Sequence, residues 1–129
     1  MNVFMNNDKT YFIKNPDEVD ITNPLEFSVI PEFDQYVINC NGEIWSLYKR
    51  MFIYGIVAST GFITVALKKD KKQNSKTIHK ILATLFIPNP NNYQFVEFID
   101  KNKENIKLDN LKWVEKRVNG YDRRNYARK

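Results

Sequence analysis

FVEFIDKNKENIKLDNLKWV, residues 95–114, holds two short apolar-rich runs on either side of a polar one, and its reading decides the fold of the C-terminal part of the chain. The β-branched and aromatic residues of QFVEFID and LKWVEK predict two strands. The intervening KNKENIKLDN has no apolar period and predicts a loop, and RVNGYDRRNYARK predicts a basic helix. Strand, loop, strand, helix is therefore the order expected after residue 93.

Upstream, TIHKILATLFI places apolar residues at 78, 81, 82, 85 and 86, the spacing of one helical face. Thr77 is the candidate N-cap and Pro88 the stop, with IPNPNNY as a turn-rich link to the first strand. KKDKKQNSK, residues 68–76, predicts an exposed turn, because five lysines in nine residues keep their charge in water. FITVALKKD alternates Phe62, Thr64 and Ala66 against Ile63, Val65 and Leu67, and RMFIYGIVA is apolar and β-prone; both predict strands. YVINCNGEIWSL, residues 36–47, alternates around Asn41-Gly42, a strong hairpin signal. The first thirty-odd residues contain Pro16, Pro24 and Pro31 and no sustained period, and predict an extended, loop-rich lead-in.

A chain of 129 residues supports one domain with one core, and its 43% hydrophobic and 14% aromatic content excludes intrinsic disorder. One cysteine, Cys40, excludes an intramolecular disulfide and a Cys-rich zinc site, and fits a reducing compartment. No signal-peptide pattern opens the chain and no apolar run approaches membrane-spanning length, so the expectation is a soluble, non-secreted protein without a membrane partner. Such a protein would reside in cytoplasm, nucleus or organelle matrix, or be virus-associated. Charge is unevenly spread. Residues 1–35 hold two basic against seven acidic residues, whereas residues 101–129 hold ten basic against four acidic. A basic C-terminal segment suits phosphate contacts, since counterion release supplies sequence-independent affinity for nucleic acid.

The blocks Val96, Glu97, Phe98, Ile99, Asp100, Lys101, Asn102, then Asn105, then Asp109, Asn110, Leu111, Trp113, Val114 follow the order V-(N/D)-H-I-D-G-N, N-N, (E)-N-L-x-W-V. Phe98 and Asn110 stand twelve apart, and Asn110 and Asn119 nine apart. With Ile78, His79, Lys80, Ile81, Leu82, Ala83, Phe86, Ile87, Pro88, Asn89 and Pro90 matching the helix that usually precedes these blocks, the chain resembles the HNH (ββα-metal, His-Me finger) homing endonucleases of phage and intron type. FSVIPEFDQYVINCNGEIWSLYKR resembles the small β-rich module often found before that nuclease domain. The resemblance spans residues 27–121 or so. It implies an α+β protein in which the acidic lead-in (1–26), without a counterpart in the pattern, is followed by an antiparallel β-rich module (27–76), and by a helix and an HNH-like ββα finger with a basic C-terminal helix (77–129).

The resemblance also assigns roles. The strand histidine that takes a proton from the attacking water is replaced by Phe98, which accepts no proton, so the expectation is a degenerate catalytic site without a general base. Glu97 and Asn119 fall on the two metal-ligand positions, and Asn110 on the residue that pins the loop by hydrogen bonds. The turn D-G-N becomes Asp100-Lys101-Asn102, without the glycine. His79, the one histidine, matches a helix position away from the base. The expected nucleic-acid contacts are Lys101, Lys103, Lys107, Lys116, Arg117, Arg123, Arg124 and Arg128. The leading expectation is a DNA- or RNA-binding protein that has lost cleavage and needs no cofactor. A second expectation is an active endonuclease using Mg²⁺, and a third is a subunit of a larger nucleoprotein assembly with protein partners.

Overall fold

The computed structural model describes residues 2–116. Its elements begin where a loop-rich lead-in is expected. Val3–Asn6 (β1) and Lys9–Ile13 (β2) form an antiparallel hairpin, with Asn6 opposite Lys9. Asn7 and Asp8 between them take φ of 51° and 64°, the left-handed pair that a two-residue hairpin turn requires and that Asn and Asp tolerate. The expectation of an extended or loop-rich lead-in is thus corrected to a hairpin: Asn-Asp makes the turn, and short strands escape a search for long apolar periods. A 3₁₀ turn over Pro16–Glu18 follows.

Glu26–Ile30 (β3) lies parallel to β2, pairing Phe12 with Glu26 and Ile13 with Phe27. The sheet containing the β-rich module is therefore mixed rather than purely antiparallel, and the lead-in is part of it. Phe33–Asn39 (β4), Ile44–Ser46 (β5) and Met51–Ile53 (β6) complete six strands in sequence order. The expected hairpin at Asn41-Gly42 is present. Asn39 and Glu43 close it through a 3.1 Å backbone bond, and the Gly42 amide donates to the Asn39 carbonyl at 3.0 Å. Gly42 takes φ +83°, and a Cβ there would lie 2.8 Å from Ile106 Cδ1, so the position needs glycine for both its dihedral and its space.

The run expected as one strand over 50–58 is split. Met51–Ile53 stays in the large sheet, while Ile56–Val57 (β7) begins a second, three-stranded antiparallel sheet with Ile63–Lys69 (β8) and Lys72–Thr77 (β9). The lysine-rich segment expected as a turn is mostly hairpin. Only Asp70 and Lys71 turn, at φ 54° and 66°, and Lys69 pairs with Lys72. β9 is invisible to apolar alternation because KQNSKT is polar on both faces and lies at the edge of its sheet.

Ile78–Phe86 forms the helix α1. Thr77 is extended, as an N-cap should be, but its hydroxyl makes no capping bond. The helix buries Ile78, His79, Ile81, Leu82, Ala83 and Phe86. It shares one core with Ile30, Phe33, Tyr36, Ile38 and Ile44 of the large sheet, Val65 and Leu67 of β8, and Phe98 and Leu111 beyond. The other face of the large sheet has its own core, in which Phe4 stacks on Trp45 at 4.5 Å and on Tyr11 at 4.8 Å, beside Phe27, Val37 and Phe52. β4 reads as continuous apolar Tyr36-Val37-Ile38 because both of its faces are covered. Burying Phe4 stabilises the hairpin by about 2 to 3 kcal/mol, which is why an acidic lead-in is held in place.

Phe95–Phe98 (β10) and Leu111–Val114 (β11) pair antiparallel, as expected from the sequence. The helix expected after them lies outside the described residues. No helix among the described residues is long and apolar enough to cross a membrane.

Candidate functional site and its relatives

The loop between β10 and β11 is built around one side chain. Asn110 is buried, and its Oδ1 accepts from the Asp100 amide at 3.0 Å. Its Nδ2 donates to Asp100 Oδ1 and to the Asn105 carbonyl, each at 2.9 Å. Those three bonds fix the amide's orientation, because only one assignment of oxygen and nitrogen satisfies an N–H donor and two oxygen acceptors. Asp100 in turn accepts from Asn105 Nδ2 at 2.8 Å and from the Asn102 amide at 2.8 Å. These bonds, led by that from Asn105, hold the Asp100 carboxyl below its usual range.

Lys101 sits where the turn would be easiest for glycine. It takes φ 68°, and its amide closes the turn onto the Phe98 carbonyl at 3.0 Å. The loop geometry is therefore kept with a lysine in the left-handed region, at about 1 to 2 kcal/mol of backbone cost. The same turn carries the lysine ammonium back to Glu97, 2.9 Å from Oε2. Glu97 also lies directly across the strand pair from Lys112.

Phe98 ends β10 and is 7% exposed. Its ring lies 4.6 Å from that of His79 and 6.1 Å from that of Phe62, and Phe62 lies 5.1 Å from His79. The three rings form one cluster between helix, three-stranded sheet and finger. His79 is 8% exposed and its Nδ1 has no hydrogen-bond partner. Burial, with the Lys80 charge adding to it, pushes the imidazole down to about 4, so it is neutral at pH 7. The Lys103 ammonium stands 4.8 Å over the Phe62 ring and donates to the Thr60 carbonyl at 2.8 Å, which ties the finger loop to the β7–β8 turn. A lone phenyl at position 98 gives no hint of Phe62 or Lys103 in its surroundings; a tertiary contact over more than thirty residues has no local signature.

Of the expected nucleic-acid contacts, Lys101, Lys107 and Lys116 are exposed, and Lys103 is half-buried. Lys101 and Lys103 carry the intramolecular partners just described. Arg117, Arg123, Arg124 and Arg128, and the candidate ligand Asn119, lie outside the described residues. The described residues supply one of the two candidate ligands, Glu97. They contain no group of three His, Cys, Asp or Glu side chains that could hold one, Glu97 is engaged by an ammonium, and Phe98 offers no donor atom.

No family model matches the chain. The H-N-H endonuclease F-TflII of Escherichia phage T5 is 33% identical over 87 residues, covering 66% of this chain and 45% of that protein. Two uncharacterized HNH endonucleases of Acanthamoeba polyphaga mimivirus are 29% identical over 86 residues and 28% identical over 104. The matches cover 67% and 80% of this chain and 26% of each mimivirus protein, so the chain spans less than half the length of these relatives. Among solved structures, the HNH homing endonuclease I-HmuI, described for DNA binding and cleavage, shares the fold with a TM-score of 0.62 and 24% identity, over 69% of this chain and 52% of that one. The chain is thus similar in sequence to HNH endonucleases of a phage and a giant virus, and it shares the fold of an HNH homing endonuclease.

Proposed function

We propose that this chain binds nucleic acid through its basic C-terminal residues and does not cleave it. The observation that carries the reading is Phe98. It stands at the base position of the family pattern, buried against His79 and Phe62, and its ring has no atom that could take a proton from a water molecule. Removal of a general base lowers the rate by roughly 10² to 10⁴. The exposed lysines 101, 107 and 116, with Arg117, Arg123, Arg124 and Arg128, supply the phosphate contacts on this reading. On this reading residues 27–76 form the platform under the finger.

A filter-binding series in rising salt tests the binding half. Log affinity is expected to fall linearly with log salt, at a slope of about 0.9 per phosphate neutralised on duplex DNA. Binding that is absent, or insensitive to salt, overturns the proposal. For the catalytic half, supercoiled plasmid incubated with Mg²⁺ or Mn²⁺ is expected to stay supercoiled. Nicking that disappears in Glu97→Ala would instead establish the rival reading, an active metal-dependent endonuclease, which the names of the phage and mimivirus relatives favour.

A further inference from the structure

We infer that the Lys101 ammonium supplies the positive charge at the former metal position from within the chain, and thereby excludes a divalent cation from Glu97. The inference rests on reading Glu97 as the metal-side carboxylate of the HNH pattern. Three observations meet there. Lys101 Nζ lies 2.9 Å from Glu97 Oε2, and that carboxylate is only 19% exposed, so the ammonium covers an oxygen that a cation would need. Lys101 is carried to this point by a backbone at φ 68°, a conformation that lysine adopts reluctantly. Lys112, directly opposite Glu97 in the strand register, adds a second positive charge on the same face.

A hard divalent cation binds a carboxylate oxygen at roughly 2.0 to 2.1 Å with its remaining positions filled by water or phosphate oxygen. Here it would have to displace a hydrogen-bonded ammonium and then sit near two like charges, those of Lys101 and Lys112, and the repulsion doubles with the ion's valence. The ammonium takes over the electrostatic part of a metal's role, because it neutralises Glu97 and so removes a negative charge that would repel an approaching phosphate. It is no Lewis acid, so it does not polarise the phosphoryl group or lower the pKa of a water. Binding of nucleic acid is then independent of divalent cations.

The test is Mn²⁺ titration followed by electron paramagnetic resonance, on the whole chain with no nucleic acid present. The readout is the part of Mn²⁺ uptake that Glu97→Gln removes. In the natural chain that part is expected to be absent. In Lys101→Gly it should appear, with apparent affinity on the order of tenfold or more above that of the natural chain, since one like charge beside the ion is gone. Lys101→Asn should give the same gain, and because Asn tolerates the left-handed region it serves if the glycine variant folds poorly. Glu97-dependent uptake in the natural chain, or no gain in either Lys101 variant, overturns the inference. Because DNA is absent, failure of nucleic-acid binding would leave this result untouched, and the two readings fail separately.

Discussion

Acidifying the chain from pH 7 to pH 5 is expected to cost about 2 kcal/mol of folding stability through His79 alone, rising to about 3 kcal/mol by pH 4. The imidazole titrates near 6.5 when the chain is unfolded and near 4 in its buried place between Phe62 and Phe98. Its folded pKa is depressed, so between the two values the unfolded chain binds the extra proton and the folded chain does not. Stability from this source is complete above about 6.5 and falls as pH drops towards 4. It is flat below, where both states are protonated. The chain contains one histidine, which makes the assignment clean. Carboxylates such as Asp100 are held low by their hydrogen bonds and add their losses further down, as pH falls through the ordinary carboxylate range and below it. Urea denaturation at pH 7, 6 and 5 measures the slope. His79→Phe keeps a ring in the cluster and should flatten the curve across that interval; an unchanged slope in the variant would show that His79 is not the group responsible.

The contrast between what can and cannot be read from the sequence follows from which interactions are local. The helix over 78–86 and the β10–β11 pair are legible because apolar spacing and turn residues act within a few positions, and Pro88 marks the helix end. Asn110 is legible as a pin through the family resemblance. β1, β2 and β9 are not. Their strands are short or polar, and what holds β1 is Phe4 on Trp45, forty-one positions away. The family pattern points to Glu97 and Phe98 but not to what surrounds them. Glu97 meets Lys101 only because the 98–101 turn reverses the chain, and Phe98 meets Phe62 and His79 only after the helix has packed on the three-stranded sheet. The site's chemistry therefore depends on contacts that residue types and spacing do not encode, whereas the scaffold under it depends on ones that they do.

Asn110→Ala is expected to lower folding stability by about 2 to 3 kcal/mol while leaving any phosphate-binding lysine in place. Truncation removes three side-chain bonds at once: one accepted from the Asp100 amide, one donated to the Asp100 carboxylate and one to the Asn105 carbonyl. A neutral bond contributes about 1 kcal/mol net and one to a charged group about 1.5 to 3. The total is held below the simple sum because Asp100 and Asn105 are more exposed than Asn110, and water can reach the groups left behind. Chemical denaturation of the single variants and the pair measures the coupling. Asp100→Ala removes an overlapping set of bonds, so the double variant should cost less than the two single costs added, by about 1 kcal/mol or more. Strict additivity would mean that the two residues do not act through the shared network seen here. Among the described residues the Asn110 side chain bonds to the loop that it closes, and the Phe98 ring, just before that loop, packs without a polar atom to offer. A satisfied pin thus stands beside an apolar ring, and the variant asks whether the pin carries the finger.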